Sequence, residues 1–218
     1  MGRPRQHDLD QLLDQARRLW IEQGVGGVTI RALSAASGAS NGAIYHAFGS
    51  RDGLLASVWT READQFLAFQ RTLVERAMRE GDPADGLVAA ALAPAAYAAQ
   101  DDDGARLLLT ATLGDLLTPE LDRDRRRQLL RLQRELGGVV AELAEALWDR
   151  HDNAALTTVR YCVVDLPGAL LLKAQAVTDP VARHALERAV RGIASMPPPE
   201  APSRKTSTSA TPRPDPAR

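Results

Sequence analysis

The sequence predicts an all-α fold, and three observations carry that expectation. Apolar residues recur at three- and four-residue spacing through most of the first 193 residues. No segment of useful length alternates apolar and polar residues as a strand would. Glycine, serine, threonine or proline marks the breaks between periodic segments. With 218 residues and 44% hydrophobic content, the chain can bury a full core, as one large domain or as a small one joined to a larger one.

The first periodic segment, residues 8–23, places Leu9, Leu12, Leu13, Ala16, Leu19 and Trp20 on one helical face, and Gly24 supplies a stop. Thr29 then caps a second helix, TIRALSAAS, whose core side is Ile30, Leu33 and Ala36, and Gly38 ends it. Ser40 caps a third, NGAIYHAF, of about two turns. Gly49 closes it, and Ser50 caps a fourth helix that carries Leu55, Trp59, Phe66, Phe69 and Leu73 to about residue 80. A fifth helix over 84–100 is bent or split by Pro94, and a sixth spans 104–117. Residues 121–148 form a long amphipathic helix with Leu129, Leu132, Leu136, Val140, Leu143 and Leu147 on its stripe. Residues 153–175 form a denser one kinked at Pro167. Pro180 opens the last helix, with Val181, Ala185, Leu186, Ala189 and Ile193 inside. From residue 197 prolines, serines and threonines take over and no large apolar side chain remains, which is the composition of a disordered tail.

Composition removes several function classes. A net charge of −1 excludes a chain coated in positive charge, so any nucleic-acid contact is local. The single cysteine, Cys162, lies in the apolar run YCVVDL and reads as a small buried hydrophobe. The opening MGRPRQHDLD has no apolar segment after its arginines and does not read as a secretory signal. The longest apolar run, residues 86–99, contains Pro94 and is too short to span a bilayer. These features predict a soluble, cytoplasmic protein with no membrane partner. The four histidines are scattered, and neither HExxH nor CxxC occurs, nor a glycine-rich loop after a strand. No enzyme, metal or cofactor is expected.

The stretch from residue 29 to residue 51 points to a function. A short helix, a glycine-centred turn and a second short helix opening with serine describe a helix-turn-helix, whose later helix lies in a DNA major groove. With Ile44 and Phe48 turned inward and Ala35 and Ala36 small enough for close helix packing, the third helix offers Ser40, Asn41, Gly42, Ala43, Tyr45 and His46 to a partner. Asparagine and serine can hydrogen-bond base edges, and Ala43 can touch a thymine methyl. Tyr45 and His46 suit phosphate and sugar, and Arg51, at the positive end of the fourth helix, suits another phosphate. Plain alternatives stand beside these: Tyr45 as a core aromatic, His46 as a solvated side chain, Arg31 as a solvent-facing charge.

The first fifty-five residues resemble the DNA-binding domain of the tetracycline-repressor (TetR) family. The matching features are Ala16, Trp20, Gly24, TIRAL, the GAS turn and GAIYHAFGSRDGLL. The resemblance implies backbone contacts for Thr29 and Tyr45, base readout for Arg31 and Asn41, and for Arg51 a phosphate usually held by lysine. Two positions depart from the family pattern: Ala47 stands where a phosphate-contacting histidine is common, with His46 one place earlier, and Ser34 stands where alanine usually packs the turn. The implied organisation is a DNA-binding domain over residues 1–50, a helical ligand-binding and dimerisation domain over 51–196, and the tail over 197–218. The implied partners are a near-palindromic double-stranded operator, a second copy joined through the last two helices, and a small-molecule effector that releases the protein from DNA. Trp59, Phe66, Phe69, Tyr97, Leu107 and Leu108 could line the effector pocket, with Tyr161 or Asp165 as polar handles, although aromatics at helical spacing equally suit a plain core. A rival from another class is a helical carrier or adaptor that binds an apolar ligand and never reads DNA.

Overall fold

The computed structural model describes residues 6–173 and 176–199, and every one of its regular elements is helical. The expected disordered tail lies outside the described residues from residue 200 onward.

Helix α1 (Gln6–Gly27) leaves the helical path at Gly24, whose φ of 71° is open to glycine and strained for other residues. Helices α2 (Ile30–Ser37) and α3 (Asn41–Phe48) follow, and α4 (Arg51–Glu80) runs for 30 residues, about 45 Å at 1.5 Å per residue. Helix α5 (Pro83–Gln100) starts in a reciprocal cap: Asp82 accepts from the Asp85 amide at 2.9 Å and Asp85 accepts from the Asp82 amide at 3.1 Å. It runs through Pro94 as one helix, so the proline does not split it.

The segment expected as a single sixth helix is two: α6 (Asp102–Thr110) and α7 (Leu113–Leu116). Two threonines explain the break. The Thr110 hydroxyl donates back to Leu107 O at 2.8 Å and accepts from Trp20 Nε1 at 2.8 Å, while Thr112 forms a new capping box with Asp115. Helix α8 (Arg123–Trp148) is capped by Asp122. Helix α9 (Asn153–Arg160) continues into wide i→i+5 turns over Tyr161–Asp165 and Gly168–Lys173, on either side of Pro167. The expected kink is taken up by this widening: Leu166 N donates to Tyr161 O, five residues back. Helix α10 (Pro180–Ala194) opens on Pro180 as expected. Its last carbonyl, Ala194 O, accepts from Trp148 Nε1 at 3.4 Å, and Arg150 holds the carbonyls of Pro198 and Pro199.

Two hydrophobic cores result. The first gathers Ala16, Trp20, Leu33, Ile44 and Phe48 with Leu54 and Val58 of α4, Leu107 of α6 and Leu129 of α8. The second joins Val74, Leu87, Ala91, Leu143, Val159, Cys162, Leu186 and Val190. Helix α4 enters both, so it is the rod between the N-terminal helices and the far end of the molecule.

Candidate nucleic-acid interface and ligand cavity

The turn between α2 and α3 is built from local hydrogen bonds. The Thr29 hydroxyl accepts from Ala32 N at 3.0 Å and starts α2, a cap of the kind whose removal costs about 1 kcal/mol. Gly38, at φ 74° and ψ 0°, sends its N–H to Ser34 O at 2.9 Å, and the Ser34 hydroxyl donates to Ala39 O at 2.7 Å across the turn. Ser34 therefore adds a bond where alanine would only pack. Ser40 accepts from Ala43 N at 3.2 Å and starts α3.

Burial then sorts the third helix into two faces. Ile44 and Phe48 are buried, whereas Ser40, Asn41, Gly42, Ala43 and His46 are exposed and Tyr45 is 53% exposed. Arg31 is exposed as well. Of the sequence-expected contact residues, those of α3 and Arg31 are thus exposed and Thr29 and Arg51 half-buried, with small polar side chains at the start of α3 and aromatics toward its end. One expectation fails here: Ala36 is exposed, as is Ala35, because the buried stripe of α2 ends at Leu33, and Ala32 is the small residue packed on the core.

Arg51 has a task that sequence reading did not find. Its Nε donates to Val28 O at 2.8 Å and its Nη2 to Val25 O at 2.5 Å, which pins the α1–α2 connection to the start of α4. Among the described residues its Nη1 makes no hydrogen bond, so one end of the guanidinium stays available.

Arg125 was also missed. From the first turn of α8 it donates to Ala47 O near the end of α3 at 2.7 Å, to Ser57 Oγ on α4 at 3.0 Å and to Asp122 at 2.6 Å. Nearby, Thr118 donates to Asp52 at 2.8 Å. Nothing in the sequence pattern marks Arg125 among the other arginines of RDRRRQ; only the fold brings it to α3.

A third link joins α1 to the remaining helices. Arg17 pairs with Glu62 of α4 at 3.1 Å and with Asp101 at 2.6 Å, and Asp101 also caps α6 through Gly104 N at 2.9 Å. Glu62 is only 1% exposed, so loss of Arg17 would strand a buried charge, typically a cost of about 3–5 kcal/mol. Burial is the largest single influence and pulls the Arg17 guanidinium down, but Glu62 and Asp101 together outweigh it and hold the group above its usual range. A side chain at Gly104 would meet the oxygens of Asp101 and Glu62 at 2.6 and 2.8 Å, which explains the glycine.

Between α4, α5, α6, α8 and the wide turns lies a cavity of about 310 Å³. Trp59, Phe66, Tyr97 and Leu108 line it as expected. Phe69, Leu107, Tyr161 and Asp165 do not, and each has a physical reason. Leu107 faces the first core while its neighbour Leu108 faces the cavity. Phe69 packs on the Tyr97 ring, 5.4 Å between centroids, without reaching the cavity wall. Tyr161 and Asp165 are exposed on the outer side of their turn, Asp165 lying 3.6 Å from Arg160, while Val163, Val164 and Pro167 turn inward. The Trp59 indole N–H is already committed to Ala111 O at 3.0 Å. Burial foremost, then the charges of Glu62 and Asp101 against that of Arg17, pushes the Tyr97 hydroxyl up to about 12, so it stays protonated.

Residues 12–58 match the family model described as bacterial regulatory proteins of the tetR family. Over these residues the chain is similar to the TetR-type DNA-binding domain. Over 53 residues the chain is 40% identical to the HTH-type transcriptional repressor AcnR of Corynebacterium glutamicum, a match spanning 24% of this chain and 28% of that relative's length. Among solved structures, the TetR-family transcriptional regulator PfmR of Thermus thermophilus superposes with a TM-score of 0.58 at 18% identity, over 85% of this chain and 98% of that one. The multidrug binding protein EbrR, solved with imidazole, superposes with a TM-score of 0.61 at 20% identity, over 90% and 97%. At such identities these structures share the fold with this chain along most of its length.

Proposed function

We propose that this chain is a dimeric transcriptional regulator of the TetR family, a repressor released from a near-palindromic operator when a small molecule fills the cavity. Residues 1–50 are its reading head, 51–196 its ligand-binding and dimerisation body, and the cytoplasm is where it meets its operator. The single observation that carries the reading is the exposed face of α3. A protein that did not read DNA would have no use for a two-turn helix held by Gly38 and Ser40 with Asn41, Ala43, Tyr45 and His46 all turned outward.

In that reading Asn41 and Arg31 contact base edges, Ser40 and Ala43 complete the groove contact, and Thr29, Tyr45, His46 and the free end of Arg51 hold backbone phosphates. Dimerisation is supported by the segment Asn153–Leu172. Its mean hydropathy is 1.4, enough by length and composition to cross a membrane, yet only 33% of it is buried within the chain. A second copy covering that surface is the economical use of it in a DNA-binding protein. Release requires the effector to favour the arrangement that does not fit DNA. The cavity walls on α4, α6 and α8 belong to the helices that also hold the head, through Ser57, Thr110 and Arg125.

The test is fluorescence anisotropy with DNA from beside the chain's own gene against scrambled competitor at two salt concentrations. The expected result is competitor-resistant binding that weakens with salt. Arg31→Ala should cost about 1–3 kcal/mol and relax base preference, and Tyr45→Ala should weaken binding to all sequences alike. Equal, weak binding to both DNAs by the parent chain would sink the regulator and favour the carrier.

A further inference from the structure

Pro94 leaves an orphan in α5. A proline has no N–H, so Ala90 O, four residues earlier, loses its helical partner. Gln70 of α4 replaces it: Nε2 donates to Ala90 O at 3.0 Å. That bond fixes the orientation of the amide, because the reverse placement would set two oxygens face to face. The other end, Oε1, then has no hydrogen-bond partner among the described residues, although Gln70 is 1% exposed and forms part of the cavity wall. An acceptor left unsatisfied in a buried position is unfavourable, so a group that arrives with a donor is rewarded there.

The rest of the wall narrows the chemistry. Among the described residues no aspartate, glutamate, lysine, arginine or histidine lines the cavity, so a charged ligand would lose its water and find no counter-charge. Trp59 has already used its N–H. Hydrocarbon and aromatic faces supply most of the remaining surface, with the protonated Tyr97 hydroxyl as the other polar group away from solvent and the exposed Gln133 amide at the solvent edge. The volume, about 310 Å³, sits at the small end of the roughly 300–1,000 Å³ usual for ligand pockets.

We propose that the cavity takes a small, uncharged, mostly hydrocarbon molecule that offers one hydrogen-bond donor to Gln70 Oε1. The proposal rests on the cavity being the effector site, and it is tested without DNA, so that its failure and the failure of the regulator reading remain separate results.

Isothermal titration of the full chain at neutral pH with naphthol, methylnaphthalene and naphthoate presents one ring system with a donor, with neither donor nor charge, and with a negative charge. Naphthol should bind about tenfold tighter than methylnaphthalene, as expected for one hydrogen bond, and naphthoate weakest of the three. Gln70→Leu should erase the advantage of naphthol. Because that variant also frees Ala90 O, Leu136→Trp serves as the second: it fills the cavity, keeps the Gln70 bond, and should abolish binding of every probe. Methylnaphthalene binding as tightly as naphthol to the parent chain, naphthoate binding best, binding that survives Leu136→Trp, or no binding of any probe would each overturn the proposal.

Discussion

Cys162 shows at the scale of one residue how burial becomes a pH dependence. Its side chain is fully enclosed in the second core, and burial pushes the thiol up from 9.0 to about 11. The folded chain therefore keeps a proton that the unfolded chain gives up between those values, so stability falls as pH rises through that window. Tyr97 acts with the same sign between 10.0 and about 12. Denaturant unfolding of the parent and of Cys162→Ala across the window should give a shallower decline for the variant, the remainder belonging to Tyr97. Equal slopes would mean that the thiol is not buried as described. The same enclosure makes Cys162 inert toward thiol reagents in the native state.

Glycines decide matters at the scale of the element, and they do so in opposite directions. Gly53, in the first turn of α4, passes so close to the end of α3 that a Cβ would lie 2.0 Å from Phe48 O and 3.4 Å from the Arg125 side chain. Gly53→Ala should cost about 1–3 kcal/mol or more, read by denaturant unfolding, because the obstructing atom is backbone and cannot step aside. Gly42, on the exposed face of α3, has nothing nearer than Ser40 Oγ at 4.0 Å. Gly42→Ala should leave stability unchanged or raise it by up to about 1 kcal/mol while weakening operator binding, since the added methyl lies on the face proposed to meet DNA. A variant that gained stability and bound DNA as well as the parent would remove α3 from the interface. Arg125 belongs to this scale too. It ties three helices to one guanidinium, at Ala47, Ser57 and Asp122, and so couples the start of α8 to α3.

Across the whole molecule, α4 runs through both cores, and three polar links tie the N-terminal helices to the helices packed on them: Arg17 with Glu62 and Asp101, Trp20 with Thr110, and Arg125 with Ala47. A ligand that moved α6 or α8 would strain these links directly, which gives the cavity a mechanical route to the proposed DNA-reading face. The other global property is assembly. Tyr161 is 50% exposed and Val181 73% exposed on the last two helical segments. Tyr161→Asp with Val181→Asp should convert a dimer to a monomer in sedimentation velocity and lower operator affinity by about a hundredfold or more, because two linked heads bind far more tightly than one. A parent chain that sediments as a monomer would refute the dimer.

What the sequence determined by itself is the set of features whose cause lies within a few residues. Thr29, Ser40 and Ser50 cap the residues three places on, Gly24, Gly38 and Gly49 take positive φ at helix ends, and the outward face of α3 follows once Ile44 and Phe48 are placed inside. Periodicity located α4 and α8 nearly to the residue for the same reason. Tertiary structure alone decided the rest. Gln70 matters because Ala90 was orphaned twenty residues away, Glu62 because Arg17 reaches it from another helix, and Arg51 because the carbonyls of Val25 and Val28 come within its reach. Which of two adjacent leucines, Leu107 or Leu108, faces the cavity depended on how α6 sits between two neighbours, and one helix's periodicity cannot say which neighbour is hollow. Local caps and turns are settled by short-range hydrogen bonds. The satisfaction of buried polar groups is a long-range matter, fixed only when distant helices meet.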